Sequence, residues 1–472
     1  MIDGLKPYAD RRDSGLPWLG KIPAHWEVRR NGRLFVQRNE TGFPDLPILE
    51  VSLKTGVRVR DFEGTNRKQV MSDREKYKRA RQGDIAYNMM RLWQGAVGTS
   101  PVDGLVSPAY VVAKPLPQTD SRYYQYLFRT GAYMDEVNKF SRGIVSDRNR
   151  LYWEDFKQMP SPFPPPEEQA AIVRFLDHAD RRIRRYIRAK RQLIALLNEQ
   201  KQAIIHRAVT RGLDSNVSLA EWDAEWLEEV PSHWKRIPIK RLLSRIDYGT
   251  SEGTKSEGMV RVLTMGNIQG GEVTDKAFGW LDEVSEDLLL DHCDLLFTRT
   301  NGNPELVGKI GIFRGHANER VSFASYLVRL RVKPPHVPQW LHMLLGSSAF
   351  WGFARSHALV NLQTNLNSTR YSQFAVPVPP PEEQAAIVNV VTEKTKKILD
   401  TVSETIREIE LLREYRTRLV ADVATGKLDV RNAAVALSDK LETDEPDAEE
   451  LLDEDETTND AELDTEPEEI EA

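Results

Sequence analysis

The sequence predicts an α/β (α+β mixed) tandem repeat: two globular domains, two long helices that separate them as an antiparallel coiled coil, and a disordered acidic C-terminal tail. Three observations carry this. The same motifs occur twice in register, each copy changes from a β-rich part to a helix-periodic part, and the charge is unevenly spread. At 472 residues, with 40 % hydrophobic and 29 % charged, the chain also exceeds one ordinary core.

The repeat is read from identities at fixed offsets. Trp18-Leu19-Gly20-Lys21-Ile22-Pro23-Ala24-His25-Trp26 returns 208 residues later as Trp226-Leu227-Glu228-Glu229-Val230-Pro231-Ser232-His233-Trp234. Pro164 to Val173 returns letter for letter at Pro379 to Val388, an offset of 215 that also aligns Thr210 and Leu213-Asp214 with Thr425 and Leu428-Asp429. The predicted divisions are 1–163 and 215–378 for the globular parts, 164–214 and 379–430 for the helices, and 431–472 for the tail.

The globular parts mix short β-branched and aromatic runs with Gly and Pro breaks, as in Gly104 to Lys114 and Val321 to Val332. Each ends in a proline run followed by Glu167-Glu168 or Glu382-Glu383. Acidic residues there favour the positive end of a helix dipole, so a helix starts at each site. Apolar residues then recur mostly three and four apart: Ile172, Leu176, Ala179, Ile183, Ile187, Ile194, Leu197, Ile204 and Ala208, then Ile387, Val391, Ile398, Val402, Ile409, Leu412, Leu419 and Val423. So narrow a stripe needs a partner helix, and each copy supplies the other's. From Pro166 to Ala208 the helix would be a rod of roughly 65 Å at 1.5 Å per residue, holding two domains apart.

Composition narrows the function. The one cysteine, Cys293, excludes a disulfide framework and a cysteine-rich zinc site, and suits a reducing compartment. No secretory signal and no run of ~20 apolar residues is present, so a cytoplasmic protein that does not cross a membrane is expected. Residues 438–472 hold 18 Asp or Glu against one Lys, a net of −17, which leaves 1–437 at +11 within a total of −6. A body of that sign suits a polyanionic partner, while the tail is too polar to fold and serves solubility or competes for the basic surface.

The two Trp-His-Trp segments and the duplicated Pro-Pro-Pro-Glu-Glu-Gln element resemble the specificity subunits of Type I restriction-modification systems, over roughly residues 10–430. The resemblance implies that each globular part is a target recognition domain reading half of a bipartite site in double-stranded DNA. It implies further that the helices set the unread spacer and dock two methyltransferase subunits, with motor-nuclease restriction subunits completing the complex. S-adenosylmethionine, ATP and Mg²⁺ would belong to those partners, and no cofactor to this chain. The rivals are a related system whose partner fuses methylation and cleavage, and a coiled-coil scaffold that binds protein.

Enzymatic readings fail on spacing. Asn303-Pro304-Glu305-Leu306 lacks the second proline and the aromatic of an adenine methyltransferase. Asp45, Glu50 and Lys54 lack the nuclease arrangement, Gly253-Thr254-Lys255-Ser256 and Gly426-Lys427-Leu428 are not phosphate loops, and the nine histidines show no metal-like spacing.

For DNA binding, bases are read by side chains with hydrogen-bonding forks and phosphates by Lys and Arg. Asn88, Arg91 and Gln94 follow the predicted strand 84–87; Thr298, Arg299, Asn301 and Asn303 follow its counterpart 294–297. Later in each domain stand Arg142, Ser146, Arg148 and Asn149, and Gln363, Asn365 and Asn367, in loops that the resemblance lays against DNA. Lys54, Arg58, Arg60, Arg67 and Lys68 are assigned to phosphate. A solvated loop is the plainer reading of the same segments. Trp18, Trp26, Trp226 and Trp234 are read as core, His25 and His233 as structural, and the basic run 181–188 as a solvated helix face.

Overall fold

A computed structural model describes residues 5–53, 55–60, 74–143, 149–224, 226–274, 278–301, 307–315, 320–356, 364–365 and 371–437. The chain divides into two compact units, Met1–Arg188 with Glu408–Ala472, and Ala189–Arg407. Both long helices cross that division, so each unit holds a globular part, the start of one long helix and the end of the other.

In the first unit a four-stranded antiparallel sheet runs Phe35–Arg38, Tyr110–Pro115, Ile85–Asn88, Val97–Thr99. The second unit repeats that order as Leu243–Tyr248, Leu327–Val332, Leu295–Thr298, Ile310–Ile312, then adds Glu272–Val273 and Ile268–Gln269. The runs expected at 104–114 and 321–332 are each two strands: Gly104–Val106 and Tyr110–Pro115, then Arg320–Phe323 and Leu327–Val332. Helices Ser121–Phe128 and Gly131–Phe140 cover the first sheet, Pro338–Leu345 and Ser348–Ser356 the second.

The long helices span Pro166–Arg211 and Pro381–Ala424. The predicted stripe is buried at Ile172, Leu176, Ala179 and Ile183 in the first unit, where Leu419, Val423 and Ala424 from the other helix join the same core. Ala208 and Val209 join Ile387 and Val391 likewise in the second. Start therefore meets end within each unit, which is an antiparallel arrangement there. The middle stripe residues Ile187, Ile194, Leu197 and Ile204 are half-buried.

The entry motif and the Glu-Glu-Gln motif lock together. Trp26 Nε1 donates to Glu168 Oε1 at 3.0 Å, His25 Nε2 lies 2.7 Å from Glu168 Oε2, and the Tyr8 hydroxyl donates to the same carboxylate. Trp234 Nε1 and His233 Nε2 lie 3.1 and 2.8 Å from Glu383. Burial and the Glu168 contact push the Tyr8 hydroxyl far above its ordinary pKa. The following glutamine clamps another junction: Gln169 Nε2 donates to Pro164 O (2.8 Å) while its Oε1 accepts from Asp120 N (2.8 Å) at a helix N-cap. Gln384 does the same with Pro379 O and Val337 N, each at 2.9 Å. Repeated letters thus mark repeated fastenings, and the tryptophans and histidines are structural here.

One expectation is corrected. The composition places the start of the tail at 431, but Arg431–Ala436 is a short helix with Ala434 buried in the first unit's core. Asp429 N donates to Lys6 O at 2.8 Å and Arg431 lies over the Tyr8 ring, so tertiary contacts extend the fold to Leu437. Residues 438–472 lie outside the described residues.

Just before this segment Gly426 ends the second long helix at φ +73°, where a Cβ would meet Pro23 Cδ at 2.6 Å and Trp26 at 2.8 Å. Left-handed backbone and close approach both require glycine. Gly426→Ala is expected to cost about 2 kcal/mol, read as a lower denaturant midpoint; an unchanged midpoint would contradict the packing described.

Candidate nucleic-acid interface

The central strand of each sheet carries a polar loop at its C-terminal end, and a buried acid ahead of the strand fixes it. Asp84 accepts from Arg38 Nε (2.6 Å) and Arg81 N (2.9 Å). Asp294 accepts from Arg331 Nη2 (2.7 Å) and Asp291 N (2.8 Å), and this bond holds the Arg331 guanidinium above its usual pKa. Each acid ties the strand start to another strand of its sheet and to its own turn, so the loop at the far end leaves from a rigid element.

Those ends also decide which candidate residues are accessible. Both strands begin one residue later than predicted and reach one residue further, so Asn88 and Thr298 are strand residues and not loop. Asn88 is buried, its Oδ1 accepting from Met90 N at 2.9 Å. Thr298 is also buried, bonded through its backbone to Lys309 O and Gly308 N. Both are therefore buried strand positions, where the sequence reading places them in an accessible loop.

Tertiary structure joins one pair of candidate segments in each unit. Leu151 N donates to Met89 O at 2.9 Å, joining the 88–94 loop to the 142–151 segment. In the second unit Thr300–Asn301 pairs antiparallel with Thr364–Asn365. Loops about 60 residues apart in sequence therefore share one end of each sheet.

In the first unit, Arg91 is half-buried at the start of a short 3-10 turn, Leu92–Gln94, and Gln94 is exposed. Among the described residues the Arg91 guanidinium has no carboxylate partner. Arg142 is exposed and ion-paired with Asp155, and Asn149 Nδ2 lies 3.3 Å from Asn138 Oδ1. Arg58 pairs with Glu50 across the hairpin of Leu49–Ser52 and Gly56–Val59, and Arg60 N follows it onto Ile48 O.

In the second unit Arg299 is half-buried, with Arg299 N donating to Tyr326 O at 3.0 Å and its guanidinium 4.9 Å from the Tyr248 ring centroid. Sequence reasoning missed Tyr248. Its signal was an aromatic at a strand end directly before Gly249-Thr250. Lys54, Arg67, Lys68, Ser146, Arg148, Asn303, Gln363 and Asn367 lie outside the described residues, and only the backbone of Asn301 and Asn365 is described. Among the described residues no cluster of His, Cys, Asp and Glu could hold a metal ion, and no helix is long and apolar enough to cross a membrane.

No family model matches the chain. It is 24 % identical over 354 residues to the type I restriction enzyme EcoKI specificity subunit of Escherichia coli K12, covering 71 % of this chain and 74 % of that protein. Its fold is similar to a chain in a solved type I R-M system, studied for complex assembly and conformational transition. That match has a TM-score of 0.61 at 14 % identity, covering 85 % of this chain and 98 % of the other. The crystal structure of an HsdS subunit from Thermoanaerobacter tengcongensis matches at a TM-score of 0.43 and 16 % identity, covering 85 % and 96 % of the two chains.

Proposed function

We propose, from the premise that this chain is a specificity subunit of a type I restriction-modification system, that each unit reads one half of a bipartite target in double-stranded DNA through the loops at the end of its central strand. The observation that carries this is the doubled sheet with polar loops paired at the same end and furnished with different residues: Arg91 and Gln94 in one unit, Arg299 in the other. Equal scaffolds with unequal loops suit a target whose halves differ. Arginine forks reach guanine O6 and N7 in the major groove, and basic residues such as Arg60 meet phosphates.

The chain does no chemistry in this reading. The long helices pair as a coiled coil, set the unread spacer and dock two methyltransferase subunits, with restriction-translocase subunits joining the complex in the cytoplasm. Leu193, Leu196, Leu399 and Ile406 support docking, since they are exposed apolar residues on the helical parts of one unit. S-adenosylmethionine serves the methyltransferase subunits, and ATP and Mg²⁺ the translocases.

The test is genome-wide detection of methylated adenine in host cells with and without this gene. Removal should abolish methylation at one two-part motif with a fixed unread gap. Arg91→Ala should relax one half-site and leave the other intact. Methylation indifferent to the gene would overturn the reading, and uniform loss for Arg91→Ala would reassign that side chain to phosphate.

A further inference from the structure

Tyr248 and Arg299 form a unit that nothing in the sequence pattern announced. We propose that Tyr248 is a positioning residue for base recognition: its ring holds the Arg299 guanidinium ready for a guanine in the half-site of the second unit. This rests on the DNA-reading role proposed above and names the part of that site that selects a base.

Three elements meet at this point. The strand Leu243–Tyr248 ends on Tyr248, paired with Val328, and places the ring at the edge of the sheet. Gly249 follows in close contact with the turn after Arg320–Phe323, where a Cβ would fall 2.1 Å from Phe323 O. Thr250 N donates to Phe323 O at 2.9 Å and Ser325 N to Thr250 O at 2.8 Å. The backbone carrying Tyr248 is therefore pinned on both sides. Arg299 leaves the buried end of the central strand and is anchored by its own N–H on Tyr326 O.

Among the described residues the guanidinium is held by a ring and by no acid. Its carbon lies 4.9 Å from the Tyr248 centroid, within reach of a cation–π attraction. Arg299 Nε is buried without a hydrogen-bond partner, and among the described residues no carboxylate pairs with the side chain. Its neighbours differ: Arg329 and Arg331 are bound to Asp247 and Asp294, and Arg245 to Asp287. A half-buried arginine with an unsatisfied donor is costly unless a ligand completes it. Tyr248 and Tyr326 are 41 % and 40 % exposed, so the edge opens to solvent.

Stacking uses the face of the guanidinium and leaves its edge for hydrogen bonds. A planar fork with two parallel donors matches guanine O6 and N7, which a lysine ammonium cannot do. A ring against the guanidinium removes freedom that binding would otherwise have to remove. Phosphate would accept a charge from a looser side chain, so a fork held against a ring favours a base edge.

The experiment uses the complete system in its host, with target motifs read from genome-wide adenine methylation. Arg299→Lys and Tyr248→Leu are expected to relax the same single base pair of one half-site, lowering discrimination there about tenfold to a hundredfold. Tyr248→Phe keeps the ring and should keep the motif; a merely structural tyrosine would not make specificity follow aromaticity. Thermal melting of the purified complexes should match wild type. An unchanged motif in Tyr248→Leu, or uniform loss of methylation at all sites in a complex that melts normally, overturns the assignment. If the wild-type gene itself directs no two-part motif, the DNA-reading role fails instead.

Discussion

Glu168→Ala is expected to destabilise the first unit by about 3–5 kcal/mol, because the carboxylate is the shared acceptor of three groups in a buried setting. Glu168 is 3 % exposed and takes the Trp26 indole N–H, the Tyr8 hydroxyl and His25. Its removal leaves two buried donors without partners, at about 1–3 kcal/mol each, beside the loss of charge-assisted bonds. The second copy supplies an internal control. Among the described residues Glu383, 26 % exposed, serves the indole and His233, so solvent replaces part of what is lost. Glu383→Ala should cost about 1–2 kcal/mol. Denaturant unfolding followed by tryptophan emission measures both, and equal effects would mean that the buried hydroxyl and low exposure contribute nothing.

Removing one heptad from each long helix, residues 188–194 and 403–409, should alter the spacer of the DNA target and neither half-site. Seven residues are about 10 Å of helix at 1.5 Å each, which corresponds to roughly 3 base pairs at 3.4 Å. A whole heptad returns Ile187 and Val402 to equivalent neighbours on the stripe, so the apolar face is kept. Cells carrying the shortened chain should lose methylation at the original motif and gain it at one with a shorter gap. An unchanged gap would show that something other than helix length sets the spacer.

The parts of this protein legible in its sequence are those that depend on local order or on literal repetition. A period of three and four residues, a proline stop and two glutamates suffice for a helix of more than 40 residues, and Pro166–Arg211 and Pro381–Ala424 begin where those signals stand. The ten-residue identity exposed the duplication before any contact was known, and the two sheets share their strand order. The aromatic entry motif read as core for the same reason: large rings seek burial wherever the fold puts them.

Other features waited on contacts between distant residues. Asn88 and Thr298 looked like loop residues because strand ends are set by pairing across the sheet, and one residue of extension turned them inward. Glu168 and Glu383 read as helix-dipole residues; that they hold an indole and an imidazole some 150 residues away follows only from the packed chain. The segment 431–437 resembled the start of the tail until the N-terminal strand-like stretch and the Tyr8 ring covered it. Tyr248 and Arg299, whose guanidinium carbon lies 4.9 Å from the ring centroid, are 51 positions apart. Periodicity and repetition are properties of neighbours along the chain, so the sequence alone determined two copies and long helices. Which polar groups face solvent and which are consumed inside is decided by partners far along the chain, and so by the tertiary structure.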